Sequence, residues 1–80
     1  MADDDITERI TQLIDEEHRI QRDHIGREAT TEERDQLRAI EVQLDRYWDL
    51  LRQRQARRES GQNPDDADLR SANTVENYRQ

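Results

Sequence analysis

The sequence predicts an all-α protein: an antiparallel two-helix hairpin, about residues 6–25 and 31–59, followed by a short C-terminal helical turn and a flexible tail. Three observations predict it. Apolar residues recur at helical spacing in two separate stretches. Each stretch opens on capping chemistry and closes near a glycine. The connector between them is only about four residues long, which favours antiparallel neighbours. The 80 residues divide accordingly into a hairpin, 1–60, and a C-terminal segment, 61–80.

The first helix is marked by Ile6, Ile10, Leu13, Ile14 and Ile20. Asp5 with Glu8 three residues later reads as its capping box, with an acid in place of the usual hydroxyl. Asp3, Asp4 and Glu8 put negative charge where the helix N-terminus favours it. Gly26 reads as the stop, because a left-handed residue after the last turn costs least as glycine.

The second helix carries the clearest signal in the chain. At about 100° per residue, Tyr47, Ile40, Leu51, Leu44, Leu37 and Trp48 fall within an arc of about 100°. Thr30 with Glu33 forms its capping box, and Ser60-Gly61 ends it. Asn63 and Pro64 then predict a further one or two helical turns, ending near Leu69. Val75 and Tyr78 are the apolar residues left for the tail.

With the turn centred near Arg27-Glu28, Ile20 lies across from Leu37, Leu13 from Leu44, Ile10 from Tyr47 and Ile6 from Leu51. Apolar meets apolar at each step. The same register sets Asp3, Asp4 and Asp5 alongside Arg52, Arg54, Arg57 and Arg58, and intrahelical pairs are expected between Asp15 and Arg19 and between Asp49 and Arg52. The apolar face is wider than one partner helix covers, with Ile14 and Leu50 flanking it and Trp48 at its margin. That width predicts a homodimer closing into a four-helix bundle, the interface formed by Leu37, Ile40, Leu44, Tyr47, Trp48 and Leu51. The C-terminal segment folding back is the competing source of cover.

Composition narrows the function classes. A net charge of −7 and a pI near 4.7 disfavour nucleic-acid binding, which needs a local excess of positive charge. There is no long apolar run for a membrane span or a signal peptide, so a cytoplasmic protein is expected. The absence of Cys removes disulfides, thiol catalysis and thiolate metal sites. No Ser stands near a His, and with two glycines in all there is no phosphate-cradling loop, so no enzyme is predicted. No cofactor is expected. All the basic residues are Arg and Phe is absent, which reflects a GC-rich coding sequence and says nothing of function.

The run Asp15-Glu16-Glu17-His18-Arg19, the run Glu41 to Asp45 leading into Trp48-Asp49-Leu50-Leu51-Arg52-Gln53-Arg54 and Ala56-Arg57-Arg58, then Asn63-Pro64-Asp65 and Val75-Glu76-Asn77-Tyr78, together resemble the small actinobacterial family catalogued as domain of unknown function 2630. The resemblance spans essentially the whole chain and is most specific from Trp48 to Arg58. It implies a cytoplasmic protein of a high-GC bacterium. It supplies no activity and no catalytic residues.

Three sets of residues could carry function. Glu17 and His24 project into the apolar stripe of helix one, with His18 at its edge and Glu41 facing from helix two. Carboxylates and imidazoles on facing helices are how bundles build metal sites, but the usual Glu-x-x-His pair is absent, and the simpler reading is partly exposed polar residues bonded to Arg34 or Arg38. Arg52, Arg54, Arg57 and Arg58 could hold a phosphate, an RNA backbone or an acidic partner peptide; neutralising the acidic N-terminus and the helix dipole explains them as well. Trp48 suits an interface anchor or simple core packing. The leading expectation is a non-enzymatic interaction or self-association module, possessing a homodimer interface and open to an unidentified protein partner.

Overall fold

The computed structural model describes residues 2–71, 73 and 75. Two helices pack against each other: α1, Asp3–Asp23, and α2, Thr31–Glu59. A single 3-10 turn follows at Pro64–Asp66, and there is no strand among the described residues. The predicted hairpin is therefore the core of the fold, with three local differences.

The first difference is the start of α1. It begins at Asp3, with Ala2 as cap, and the Ala2 amide donates to Asp5 Oδ2 at 3.2 Å. Asp5 acts inside the helix as the third residue reaching back, so the expected Asp5–Glu8 box does not form. Three aspartates in the first turn suit the dipole wherever the cap falls, and the earlier start lets Asp3 serve α2. At α2 the predicted box is present: Glu33 N–H donates to Thr30 Oγ1 at 3.1 Å, and the Thr30 amide donates to Glu33 Oε1 at 2.9 Å.

The second difference lies after α2. Gly61 (φ 77°) reverses the chain, as Gly26 (φ 87°) does after α1. The Asn63 side chain caps the 3-10 turn by accepting from Asp65 N–H at 3.0 Å. The turn stops at Asp66 rather than running on towards Leu69, because the next residues are drawn out along α2. Gln53 Nε2 donates to the Asp68 carbonyl at 2.8 Å, and Arg46 Nε donates to the Arg70 carbonyl at 2.9 Å. The strap ends in buried Val75, whose amide donates to the Ser71 carbonyl at 3.1 Å. Tyr78 and the expected tail from residue 76 lie outside the described residues.

The third difference concerns Leu50. Helical spacing sets it at the flank of the stripe, yet it is 3 % exposed and joins Ile6 and Ile10 in one core cluster, completed by Ile14, Leu44, Tyr47, Leu51 and the strap's Ala67. α1 and the strap both pack against the cluster that holds it. A second cluster of Leu13, Ile20 and Ile40 takes in Leu37, Leu44 and Tyr47. Every predicted cross-helix pair thus shares a cluster, which is the register the sequence implies.

Candidate interaction interface

The polar contacts that hold the hairpin explain most of the charged residues singled out in the sequence. At the loop end, the Arg27 guanidinium forks onto Glu33 (2.7 and 3.0 Å) while also donating to the carbonyls of Asp23 and Glu28. This hydrogen-bonded arginine, helped by the Thr30 amide, holds the Glu33 carboxyl well below its ordinary value, at about 2. His24 Nδ1 lies 2.9 Å from the Ile20 carbonyl and 3.7 Å from Glu33 Oε2. Its neighbour is thus the capping glutamate, and neither Glu41 nor Arg34 nor Arg38.

At the other end, Arg54 is the centre of a clamp. Its side chain is 8 % exposed, and a buried guanidinium must find acceptors. Nε donates to Asp3 Oδ1 at 2.6 Å; Nη1 donates to Asp65 Oδ1 at 3.0 Å and to the Pro64 carbonyl at 3.1 Å. Arg58 reaches the second oxygen of Asp3. One arginine therefore ties together the first residue of α1, the last turns of α2 and the 3-10 turn, and it keeps the Asp3 carboxyl below the usual carboxylate range.

The predicted arginine cluster divides three ways. Arg54 and Arg58 meet Asp3, as the antiparallel register implies. Arg57 donates to Gln62 Oε1 at 3.3 Å across the end of α2. Arg52 is exposed on another side of the helix. Asp49 pairs with the strap's Arg70 (3.6 Å) and accepts from Gln53 Nε2 (2.9 Å), in place of the expected Arg52 partner. Arg19 pairs with Glu16 at 3.9 Å rather than with Asp15, because the helix offers i,i+3 and i,i+4 neighbours almost equally.

The four metal candidates are not brought together. Glu17 and His24 are half-buried, His18 and Glu41 exposed, and among the described residues no three acidic or imidazole side chains converge in a set able to hold a metal ion.

What remains is a two-faced hairpin. Arg46, Asp49 and Gln53, the α2 residues that hold the strap, sit roughly 100–160° around the helix from Trp48. The strap therefore covers one face of the hairpin and, among the described residues, leaves the opposite one open. On that open face Leu37, Leu44 and Leu51 from α2 and Ile14 from α1 are half-buried, and Trp48 is 43 % exposed. Of the six residues expected at an interface, Ile40 is spent inside the hairpin at 6 % exposure, and Tyr47 is half-buried against both clusters. Beyond the strap, the covered side carries an open groove of about 290 Å³, lined by Leu13, Ile20, Ala39 and Ile40 and rimmed by Arg9 and Arg19.

Sequence reasoning missed the burial of Arg54 and Asp49. Arg54 had a signal: it lies seven residues after Tyr47 and so on the same helical stripe, where an arginine implies buried acceptors. Asp49 had none, because it points away from α1 and only the strap buries it.

Fold and clamp together define a small strapped helical hairpin with one unshared apolar face and, among the described residues, no group of side chains able to hold a metal ion. The chain belongs to the family described as Protein of unknown function (DUF2630), whose model matches residues 2–80. Relatives include proteins of Mycobacterium tuberculosis and Mycobacterium bovis named as uncharacterised, each 45 % identical over 79 residues, covering 96 % of this chain and 90 % of the relative. No solved structure gives a significant match. No helix among the described residues is long and apolar enough to cross a membrane.

Proposed function

We propose that the protein is a non-enzymatic, cytoplasmic self-association module, whose two copies pack open face to open face into a four-helix bundle. The observation that carries this reading is Trp48: the largest apolar side chain in the protein, 43 % exposed and flanked one turn away on either side along α2 by half-buried Leu44 and Leu51. Aromatic residues so placed are the usual anchors of interfaces. The shape supports it. The radius of gyration is 15.1 Å, against about 11.6 Å for a compact chain of this length. The surface is 5850 Å², against about 5100 Å² for a compact monomer of 9.6 kDa. Both excesses describe an elongated slab that gains by stacking.

Trp48 is the single tryptophan of the chain, so its own fluorescence reports the event. The emission maximum is expected to shift to the blue as the protein is concentrated from nanomolar to tens of micromolar. An emission maximum that is red and independent of concentration over that range contradicts the reading.

A further inference from the structure

The open face carries charge as well as apolar surface, and two exposed charges that stand on either side of Trp48 along α2 are of opposite sign. Glu41 precedes Trp48 by seven positions and Arg52 follows it by four; both lie within about 40° of it around α2. Both are exposed, and neither makes an ion pair among the described residues. They stand apart from the arginines and acids of the clamp, all of which are engaged.

A two-fold axis imposes self-complementarity, because residue i of one copy meets residue j of the other and the reverse. Two orientations of α2 on α2 are open to such a pair. With the helices parallel, Glu41 meets the second copy's Glu41, and Arg52 meets its Arg52, so both contacts are repulsive. With the helices antiparallel and the axis passing between Leu44 and Trp48, Glu41 and Arg52 lie about 8 Å on either side of the axis along the helix. Glu41 of each copy then meets Arg52 of the other, and Trp48 of each covers the other's Leu44.

We infer that the protein dimerises through antiparallel α2 helices in this register, with Trp48 seated on Leu44 of a second copy and two symmetric Glu41–Arg52 ion pairs closing its ends. The inference rests on the proposed self-association and specifies its partner and alignment. The size is consistent: α2 of 29 residues is about 43 Å long, and a face two helices wide offers on the order of 800 Å², the usual contribution of one partner. A face that size requires α1, which contributes half-buried Ile14. The charges set orientation more than affinity.

The test is a charge-reversal cycle read by sedimentation equilibrium at low salt, on the full chain. Glu41→Arg and Arg52→Glu are each expected to weaken the dimer at least tenfold, since each turns two attractive contacts into repulsive ones. The doubly reversed protein is expected to recover to within about threefold of the wild type. Single reversals without effect, or a double reversal no tighter than either single, overturn the register while leaving self-association standing. A wild type that is monomeric throughout overturns the association itself. Far-ultraviolet circular dichroism checks that each variant keeps its helices; should a reversal unfold, Glu41→Gln and Arg52→Gln are read in its place, with a severalfold loss expected from each.

Discussion

At the residue scale, two arginines organise the molecule, Arg27 at the turn and Arg54 buried at the far end of the helical stripe. Arg27 locks the turn by forking onto the glutamate that caps α2. Its partner's depressed pKa has a consequence that can be signed. The Glu33 carboxyl falls from an ordinary 4.5 to about 2 in the folded chain, so between these values the unfolded chain binds more protons. The contribution is complete above about pH 4.5 and is lost as the pH falls towards 2. Asp3, held low first by its hydrogen bond to Arg54, acts in the same direction. Thermal melts from pH 7 to pH 2 are expected to show this acid destabilisation, and Glu33→Gln is expected to flatten part of it. The hydroxyl half of the same cap is simpler to isolate: Thr30→Ala is expected to cost about 1 kcal/mol in a denaturant titration. These caps were legible in the sequence, since Thr30-x-x-Glu33 is a local pattern. The depressed Glu33 was not, because Arg27 lies beyond the helix and reaches back only once the turn has formed.

At the element scale, the strap is the part that sequence periodicity could not supply. The two helices announce themselves through repeated apolar positions, and their pairing follows from matching the stripes about a short turn. Residues 67–71 have no such repeat. They are fixed by donors on α2, namely Gln53 and Arg46, meeting carbonyls, and by Arg54 meeting Asp65. Contacts of that kind are set by three-dimensional proximity and leave little trace in spacing. Their result is visible at Leu50, a flank residue in the helical pattern that clusters with Ile6 and Ile10 of α1 and with the strap's Ala67. Leu50→Ala is therefore expected to cost 2–5 kcal/mol, the loss of a core leucine, whereas a flank residue would lose far less. Arg54→Gln is expected to loosen the strap before the hairpin. Amide hydrogen exchange should then quicken at Val75, whose amide bonds to Ser71, while Leu13 and Ile40 amides stay protected. Equal loss of protection throughout would mean that the clamp holds the whole fold and not chiefly the strap.

At the scale of the whole molecule, what matters is which surface the chain leaves uncovered. The sequence posed this as a rivalry between a second copy and the C-terminal segment, both competing for one broad stripe. The structure separates them. The strap takes the side of α2 bearing Leu50, Asp49 and Gln53, and Trp48 remains on the other side, 43 % exposed. The broad stripe is really two flanks about a central seam, and α1 takes the seam. The charge layout follows the same division, with Asp3, Arg54 and Arg58 spent inside one chain and Glu41 and Arg52 presented beside Trp48. With no second layer over that apolar flank among the described residues, the proposed association adds stability, so melting temperature is expected to rise with protein concentration. Sedimentation equilibrium at tens of micromolar, comparing the wild type with Trp48→Ala, bears on this most directly. The expected result is twice 9.6 kDa for the wild type and a single chain mass for Trp48→Ala with its helices intact. A wild type sedimenting as a single chain, or a Trp48→Ala dimer as tight as the wild type, would contradict it.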